Sequence, residues 1–249
     1  MEINNKNTIL ITGGASGIGY EFAKQLCDTN TIIIVGRNKE KLEKVKKELK
    51  NIHIFECDVS NPNEIEALYE KISVQFPNLN VLINNAGIMK KIDLQKELDY
   101  KSLTEEITIN LNAPIYMSTK FLPLLKKQKN SSIINISSAL GFVPMSIFPV
   151  YCASKAALQS FNKSLRIQLK NTNVSIFDIA PSFTNTAIVD LFSKEEQKNI
   201  KIITTLEVVE NSLKEIFKGN KEIGVGQGNA LKFLSRFLPN FALNMLNKS

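Results

Sequence analysis

Short runs of β-branched and other apolar residues alternate along the chain with longer stretches in which apolar residues recur every three or four positions. A run of about five residues without polar alternation is typical of a strand that is buried on both faces of a sheet. Such runs predict strands at residues 8–12, 31–35, 53–55, 80–83, 132–136 and 174–179. The longer stretches predict amphipathic helices at residues 20–28, 39–50, 62–76, 105–127 and 151–170.

The regular alternation of strand and helix predicts an α/β fold. Parallel strands joined by right-handed helical crossovers place helices on both faces of the sheet, so we expect a three-layer αβα arrangement around a doubly wound parallel sheet of the Rossmann type. No linker rich in Pro, Gly or Ser and no internal repeat divides the chain, so a single domain over residues 1–249 is expected. Residues 186–206 are predicted to form a lid over a ligand site past the end of a strand.

The tail, residues 228–249, has the spacing of an amphipathic helix, although Pro239 would kink or break it. We expect this tail to pack over the ligand cleft or on a partner subunit, with a helix on a membrane surface as the alternative. Its recurring apolar residues are Leu231, Leu234, Leu238, Phe241 and Met245.

The composition is that of an ordinary folded protein. Apolar residues make up 43% and charged residues 22% of the chain, which excludes a disordered or fibrous protein. Part of the net charge of +7 comes from lysines interleaved with glutamates at residues 39–50. That pattern is typical of a solvated helix face, so no nucleic-acid partner is expected.

The three cysteines lack the spacing of a zinc site or of a disulfide framework, so neither a metal site nor a disulfide is predicted. The sequence shows no leader segment and no apolar stretch of membrane-spanning length. We therefore predict a cytoplasmic protein without stable membrane insertion.

The first predicted strand runs directly into a glycine-rich turn that opens a helix. Glycines allow the backbone to turn tightly and to approach a pyrophosphate, whose charge then faces the amide end of the helix. The position of the turn at the start of a strand–helix–strand unit predicts a dinucleotide site rather than an ordinary turn. The predicted contacts are Thr12, Gly13, Ser16, Gly17, Ile18 and Gly19.

The end of the second predicted strand indicates which dinucleotide is bound. A carboxylate there would hold the ribose 2′-hydroxyl of NAD, but this strand ends in Val35-Gly36-Arg37-Asn38. The planar guanidinium of Arg37 suits a 2′-phosphate, which favours NADP. NAD is the alternative if Arg37 only stacks on adenine or faces solvent, and Ser16 weakens the preference because a basic residue there would supply a second cation.

A serine, a tyrosine and a lysine follow the fifth predicted strand. Ser138 lies just past that strand, and Tyr151 opens a helix with Lys155 four positions on, on the same helix face. A phenol ionises near pH ~10, so Tyr151 needs a nearby cation such as Lys155 to exchange protons at neutral pH. Ser138 would then donate a hydrogen bond to a substrate oxygen while Tyr151 transfers the proton.

Together these motifs resemble the short-chain dehydrogenase/reductase family over residues 7 to about 186. The acidic residue after the third strand is present as Asp58, the Asn-Asn-Ala-Gly motif ends at Gly87, and the family's active-site asparagine is Asn110. The resemblance implies hydride transfer between a nicotinamide and a small carbonyl or alcohol. The chain also resembles a subgroup of bacterial oxidoreductases encoded near the lipoteichoic acid D-alanylation genes, which implies no particular substrate.

The resemblance implies further cofactor contacts. Asp58 would accept a hydrogen bond from the adenine amino group, with an ordinary capping role as the alternative. Residues 181–186 are similar to the family's Pro-Gly-x-Val-x-Thr, which holds the carboxamide, although Ser182 and Thr184 depart from that pattern. The implied contacts are Asp58, Val59, Asn85, Ala86, Gly87, Tyr151, Lys155, Pro181, Thr184 and Thr186.

The resemblance also implies a catalytic set and an oligomer. Lys155 would hold the nicotinamide ribose, and Asn110 would hold a water that links Lys155 to solvent. The implied catalytic residues are Asn110, Ser138, Tyr151 and Lys155. A homodimer or homotetramer is expected, because members of the family often pair through two long helices. The apolar stripe that would form this contact, or would serve as internal core instead, is Leu158, Phe161, Leu165 and Leu169.

Two functions stay open on the sequence alone. The first is an NAD(P)-dependent oxidoreductase, and apolar residues between Ser138 and Tyr151 indicate a hydrophobic ketone or aldehyde as its substrate. These residues are Val143, Met145, Ile147 and Phe148. The second is a non-catalytic dinucleotide sensor or partner-binding protein. Such proteins usually lose the tyrosine or the lysine, and this chain has both.

Overall fold

A computed structural model describes residues 6–195 and 201–247 of the chain. Seven parallel strands form one sheet in the order β3-β2-β1-β4-β5-β6-β7. The strands are Thr8–Thr12 (β1), Thr31–Gly36 (β2), Ile52–Glu56 (β3), Val81–Asn84 (β4), Ser131–Ile136 (β5), Val174–Pro181 (β6) and Glu222–Val225 (β7). The chain builds one half of the sheet outward from β1 and then crosses back to build the other half from β4. The predicted doubly wound topology is therefore confirmed.

Helices cover both faces of the sheet, so the predicted three-layer αβα fold is confirmed. The helices before the active-site region are Gly17–Leu26 (α1), Lys39–Glu48 (α2), Pro62–Gln75 (α3), Tyr100–Ile107 (α4) and Ala113–Lys126 (α5). The later ones are Pro149–Gln168 (α6), Thr205–Phe217 (α7), Gly228–Phe237 (α8) and Pro239–Leu246 (α9).

Strands β1, β2 and β4 are buried on both faces, and most of their side chains are apolar. Successive side chains of a strand point to opposite faces of a sheet. In β1, Ile9 and Ile11 pack with Phe22 of α1 on one face, whereas Leu10 packs with Leu82 and Phe121 on the other. Two separate apolar clusters therefore hold the helices against the sheet.

The sequence pattern predicts neither α7 nor β7. Strand β7 has only four residues, and two of them are a glutamate and a glycine, so no β-branched run marks it. Helix α7 was partly assigned to the predicted lid. It begins after a capping box, in which the Thr204 hydroxyl accepts the Glu207 N–H and the Glu207 carboxylate accepts the Thr204 N–H.

The helix predicted at residues 105–127 is divided by a π-helical turn at Thr108–Asn112. There the N–H of Ala113 donates to the carbonyl of Thr108, five residues back. The next residue, Pro114, has no N–H and would clash with the carbonyl of Asn110 in a regular α-helix. The proline therefore explains the wider turn, which contains Asn110.

The apolar stripe of α6 lies in the core of the chain itself. Leu158, Leu165 and Leu169 are buried without any second subunit, and Phe161 packs against the same cluster as the last two. Of the two roles considered for this stripe, the structure uses the internal one. The predicted homodimer or homotetramer stays a prediction.

The predicted lid begins with a short 3₁₀ turn at Val189–Leu191, and its residues 196–200 lie outside the described residues. The chain returns to the sheet at Ile203, which bridges to Thr184. The tail forms two helices that are separated at Pro239, as the geometry of proline predicts.

Two further observations concern the described residues, 6–195 and 201–247. None of the helices in them is both long enough and apolar enough to cross a membrane. They also contain no group of three or more His, Cys, Asp or Glu side chains that could hold a metal ion.

Candidate active site

The glycine turn after β1 has the geometry that a close backbone approach requires. Gly13 and Gly17 have φ angles of +65° and +57°, in the left-handed region that favours glycine. Helix α1 begins at Gly17, its N-cap Ser16 makes no side-chain cap hydrogen bond, and its first turn contains no acidic residue. The positive amide end of α1 is therefore available to an anion.

The loop after β4 is fastened to this turn. The Thr12 hydroxyl accepts hydrogen bonds from the N–H groups of Asn85 at 3.0 Å and Ala86 at 3.1 Å. The Asn85 side-chain amide donates to the carbonyls of Thr12 at 3.0 Å and Gly13 at 3.2 Å. Gly19 packs directly under this amide, since a Cβ there would lie 2.4 Å from Asn85 Nδ2. The glycine turn is therefore held in shape by contacts with Thr12, Asn85 and Gly19.

A cavity of about 230 Å³ lies beside the turn at the end of β2, and we call it the adenosine-side cavity. Arg37 and Asp58 meet here, with 3.8 Å between Nη1 and Oδ2. Asp58 accepts the Ser60 N–H at 2.9 Å but does not cap α3, because the N-cap of that helix is Asn61. Three residues that were predicted to contact the adenosine end of the dinucleotide line this cavity, namely Arg37, Asp58 and Val59.

A second cavity of about 270 Å³, the catalytic-side cavity, shares Gly13, Ser16, Ala86 and Gly87 with the first. It brings together residues from the glycine turn, the loop after β4, the end of β5, helix α6 and the end of β6. The predicted residues on its wall are Gly13, Ser16, Gly17, Ile18, Asn85, Ala86, Gly87, Ser138, Tyr151, Lys155, Pro181, Thr184 and Thr186.

Ser138, Tyr151 and Lys155 lie together on this wall. Ser138 follows β5, and Tyr151 and Lys155 are one turn apart on the buried face of α6. Each of the three is at most 7% exposed. The Lys155 ammonium donates to the Ile136 carbonyl at 2.8 Å and lies 5.7 Å from the centre of the Tyr151 ring. The end of β5 therefore fixes the ammonium beside the phenol.

Burial has the largest influence on the ionisation of this pair. It raises the pKa of Tyr151 from 10.0 to about 12, while a hydrogen bond with the Ser138 side chain acts in the opposite direction. Burial lowers the pKa of Lys155 from 10.5 to about 8, and the carboxyl group of Asp178 acts against this effect. The causes of the Tyr151 shift do not include Lys155, so the lowering of the pKa expected from this lysine is not seen. At neutral pH Tyr151 therefore keeps its proton and Lys155 its charge.

Asn110 lies behind the cavity wall, in the π-helical turn. Its side-chain oxygen accepts the N–H of Ile88 at 2.8 Å, and its amide donates to the carbonyl of Ile88, also at 2.8 Å. The amide further donates to the Ser154 hydroxyl at 3.2 Å. A Cβ on Gly87 would lie 3.1 Å from Asn110 Oδ1 and 3.5 Å from Lys155 Nζ, so the loop, Asn110 and Lys155 are closely packed.

Glu106 fixes the same loop from the end of α4, and the sequence analysis did not single it out. Its Oε1 accepts the N–H of Lys90 at 3.0 Å, while its Oε2 is buried and has no hydrogen-bond partner among the residues that the structure describes. Burial raises the pKa of this carboxyl from 4.5 to about 6, against the hydrogen bond from Lys90. Met89 lies between Ile88, which Asn110 holds, and Lys90, which Glu106 holds, and it lines the catalytic-side cavity.

The catalytic-side cavity is apolar at its substrate end, but the four residues predicted for that wall do not line it. Val143 and Phe148 are buried in apolar clusters, and Met145 and Ile147 pack against the cluster that contains Phe148. The apolar wall comes from several elements, including the tail helices, and consists of Met89, Leu140, Phe183, Ile188, Leu231 and Leu246.

Two charged residues near the cavities were also missed. Lys41, in the first turn of α2, lines the adenosine-side cavity, but in the sequence it is one of many lysines on a solvated helix. Asp178 is 4% exposed in the middle of β6, and its carboxyl group influences Lys155. A carboxylate inside an otherwise apolar strand was a usable signal for the second of these residues.

Comparisons with known proteins agree on one family. A model of the short chain dehydrogenase family matches residues 7–197. The chain is 41% identical over 225 residues to uncharacterized oxidoreductase DltE of Bacillus subtilis, which covers 90% of this chain and 89% of that protein. It is 31% identical over 195 residues to an uncharacterized oxidoreductase of Staphylococcus saprophyticus, with 76% and 79% covered.

The fold also matches a solved structure. A crystal structure of a short chain dehydrogenase/reductase from Burkholderia phymatum in complex with NAD has a TM-score of 0.86 to this chain. The match covers 100% of this chain and 98% of that one at 20% identity, which shows a common fold. Since the family model spans the glycine turn, Ser138, Tyr151 and Lys155, the chain belongs to the short-chain dehydrogenase/reductase family of oxidoreductases.

Proposed function

We propose that this protein is an NADP(H)-dependent oxidoreductase that transfers a hydride between the nicotinamide and a small carbonyl or alcohol, with Tyr151 as general acid and base. The observation that carries the proposal is the position of Ser138, Tyr151 and Lys155 on one buried wall, in a cavity that continues to the glycine turn. Membership of an oxidoreductase family supports it.

The residues present fit a dinucleotide. Two adjoining cavities meet at Gly13, beside the uncapped amide end of α1, where a pyrophosphate would be favoured. Gly17 has a positive φ, and a Cβ there would lie 3.2 Å from the Thr186 side chain, so this approach needs glycine. The structure of the Burkholderia phymatum protein in complex with NAD supports the same use of the shared fold.

The side chains on the wall have separate roles in the reaction. When bound, the nicotinamide supplies or accepts the hydride. In the reduction, Tyr151 donates its hydroxyl proton to the substrate oxygen as the carbonyl becomes an alcohol, and in the oxidation it takes that proton back. The Ser138 oxygen accepts the Leu140 N–H at 3.1 Å, and its hydroxyl hydrogen, which is shared with Tyr151, would donate to the same substrate oxygen when a substrate is bound.

Lys155 stabilises the phenolate that remains after Tyr151 has given up its proton. Its charge lies beside the phenol, and the Ile136 carbonyl holds it there. With the pKa of Tyr151 raised to about 12 and that of Lys155 lowered to about 8, the chain at neutral pH holds both a proton donor and a cation. These ionisation states support the reduction of a carbonyl.

Two basic residues support NADP over NAD. Arg37 and Lys41 both line the adenosine-side cavity, and Lys41 supplies the second cation that Ser16 does not. Arg37 pairs with Asp58 over 3.8 Å and with 58% of its side chain exposed, so a 2′-phosphate can compete for it. An adenosine without that phosphate offers neither cation an anion to pair with at this end, which leaves NAD as the weaker cofactor.

The apolar wall supports a hydrophobic ketone or aldehyde as substrate. Met89, Phe183 and Ile188 face the cavity together with Leu231 and Leu246 of the tail. Burial of such a substrate would be favoured by about 25 cal/mol for each Å² of apolar surface removed from water. A cytoplasmic location and a homodimer or homotetramer belong to the same proposal and rest on the sequence alone.

The test is the oxidation of NADPH and NADH at 340 nm against a panel of aldehydes, ketones, diketones and quinones. Tyr151→Phe removes only the hydroxyl, so we expect turnover to fall roughly 100- to 10,000-fold while the cofactor still binds. Tyr100→Phe is the matched control, because Tyr100 is 83% exposed and lies outside both cavities.

Unchanged turnover in Tyr151→Phe would exclude the assigned role of this residue. Tight binding of NADPH with no turnover on any substrate would instead support a non-catalytic dinucleotide sensor. Fluorescence titration of the cofactor therefore accompanies each rate measurement.

A further inference from the structure

The two tail helices have an inner and an outer face with different surroundings. On the inner face, Leu231 and Ala242 are buried and pack with Ala139 and Val143, next to the end of β5. Leu231 also lines the catalytic-side cavity. The apolar residues of the inner face are therefore accounted for by packing within the chain.

The outer face is also apolar, but no described residue covers it. Phe233 and Phe237 are one turn apart on α8, and their rings are in contact, with 4.6 Å between centroids. The exposed fractions of the residues on this face range from 41% to 66%. We call this surface the tail patch, and its members are Phe233, Phe237, Leu238, Phe241, Leu243 and Met245. Exposed aromatic residues this close together are unusual on a free protein surface.

The charged side chains in the sequence of the tail all have one sign. After Glu222 the sequence contains no acidic residue and three basic ones, Lys232, Arg236 and Lys248. Glu222 is already paired with Lys232 and with Arg166. Arg236 makes no ion pair with any residue in the described ranges, and it is exposed on the same helix as Phe233 and Phe237. The apolar surface therefore lies beside an unneutralised positive charge.

We propose that the tail patch docks on the surface of an anionic lipid bilayer. Short amphipathic helices with exposed phenylalanine and leucine and a basic polar side are suited to the boundary between headgroups and acyl chains. Each basic residue near such a surface strengthens binding by the attraction of anionic lipids. The net charge of +7 on the whole chain acts in the same direction.

A second copy of the chain is a less suitable partner for this surface. In a two-fold contact the same patch meets itself, so the Arg236 side chains of both copies would be brought into one interface. Residues 223–249 contain no Asp or Glu side chain that could neutralise the two charges. The charge pattern therefore favours an anionic partner over a copy of the tail.

The first experiment is flotation of the full-length protein with phosphatidylcholine vesicles that either contain or lack phosphatidylglycerol. We expect binding to the anionic vesicles that weakens at high salt and little binding to the neutral ones. Replacing two exposed rings, Phe237→Ser with Phe241→Ser, is expected to reduce the fraction bound roughly tenfold or more. The matched control is Phe217→Ser, because Phe217 is 61% exposed on α7, outside the patch.

A second pair of variants tests the charge. Arg236→Gln is expected to weaken binding to anionic vesicles about fivefold, the effect of one basic residue near the surface. Lys47→Gln removes the same charge from an exposed position on α2 and is expected to have a much smaller effect.

Folded protein that fails to bind anionic vesicles would overturn the proposal, and so would equal binding by the ring variant and by Phe217→Ser. Analytical ultracentrifugation measures whether the chain forms a dimer, and so tests whether a second copy covers the tail patch instead. A dimer that dissociates in the ring variant, without vesicle binding by the unmodified chain, would assign the tail patch to a second copy. Because the readout is vesicle binding, the outcome does not depend on the proposed oxidoreductase activity.

Discussion

Glu106 and Asn110 hold the same short loop from one helical segment. Asn110 fixes the backbone of Ile88, Glu106 fixes the N–H of Lys90, and Met89 between them faces the catalytic-side cavity. The amide of Asn110 uses neutral groups, whereas Glu106 brings an ionisable carboxyl into a site without access to water. The two residues therefore position the same wall, but only one of them responds to pH.

The Glu106 carboxyl should make stability depend on pH. Its pKa is raised by burial from 4.5 to about 6, so between these values the folded chain binds more protons than the unfolded chain does. The free energy of unfolding must therefore fall as pH rises through this window. Glu106→Gln keeps an oxygen for the Lys90 N–H and removes the charge, so we expect it to be more stable by about 1–2 kcal/mol above the window. Urea unfolding on either side of the window measures this.

The control for this prediction is Glu105→Gln. Glu105 is the neighbouring carboxyl, which pairs with the Lys90 ammonium at a partly exposed site. The charged or ionisable groups that influence or are influenced by Glu106 are Lys90, Glu105, Tyr151 and Cys152. If the fall in stability persists in Glu106→Gln, or disappears equally in Glu105→Gln, the pH dependence arises elsewhere.

Arg37 should determine the choice between the two cofactors. The guanidinium is expected to form a charge-assisted hydrogen bond with a 2′-phosphate, so Arg37→Gln should lower kcat/KM for NADPH roughly 10- to 100-fold and barely affect NADH. Lys41→Gln should act in the same direction with a smaller effect. Lys44→Gln, on the same helix but outside the adenosine-side cavity, is the matched control. An equal loss with both cofactors would mean that Arg37 stacks on adenine.

At the scale of residues, the sequence predicted the site residues whose partners belong to the same motif. Tyr151 and Lys155 are one helical turn apart, and the glycines are part of one turn, so their spacing alone indicates a joint role. Lys41, Glu106 and Asp178 acquire their roles only from neighbours in other elements. A local pattern could single out Asp178 as a carboxylate in an apolar strand, but it could not predict which groups the three residues contact.

At the scale of elements, α1 and the loop after β4 depend on each other through Asn85. Its side-chain amide donates to two carbonyls of the glycine turn, and Gly19 of α1 packs against it. The cofactor-binding surface is therefore not formed by the glycine turn alone. It requires the turn, the helix and the loop to meet at one amide group.

A methyl group at Gly19 should disturb this meeting point. In Gly19→Ala the new Cβ would lie 2.4 Å from Asn85 Nδ2 and 2.5 Å from the Gly13 carbonyl, so either the helix or the loop must move. We expect a loss of about 1–3 kcal/mol in the free energy of unfolding and weaker cofactor binding. Thermal unfolding and NADPH titration measure the two effects.

Gly36→Ala is the comparison, because a Cβ at Gly36 would only contact Leu42 at an ordinary 3.8 Å. It should unfold close to the temperature of the unmodified protein. Equal unfolding temperatures for the two variants would show that the loop accommodates the methyl group at Gly19 and that the contact with Asn85 is not restrictive.

The periodicity of the sequence predicted six of the seven strands and the helices between them, because parallel strands and amphipathic helices differ clearly in period. It failed where an element is short or irregular. Strand β7 has four residues, and the π-helical turn at Thr108–Asn112 changes the number of residues per turn without changing the apolar pattern enough to reveal it. Pro114 was a visible warning of that irregularity.

At the scale of the whole molecule, the strand order explains why residues so far apart in sequence form one site. The chain leaves β1 in one direction and resumes at β4 on the other side, so the loops after these two strands diverge and leave a crevice. Both cavities lie in that crevice, and Gly13 and Ala86 line both of them. The sequence could predict that the two loops form one site, because the order of the strands alone brings these loops to the same crevice. The quaternary structure, by contrast, cannot be derived from the stripe on α6, which the core already uses.

The π-helical turn has a consequence for how this gene can change. A π turn contains one residue more than an α turn, so removing a single codon within residues 108–112 would take out the extra residue and rotate all preceding residues by about 100° relative to α5. Glu106 would then no longer face the loop that it holds. Substitutions in this segment can be absorbed one side chain at a time, whereas a one-codon deletion changes the register of the helix as a whole. Descendants of this sequence should therefore preserve the length of the segment more strictly than its composition.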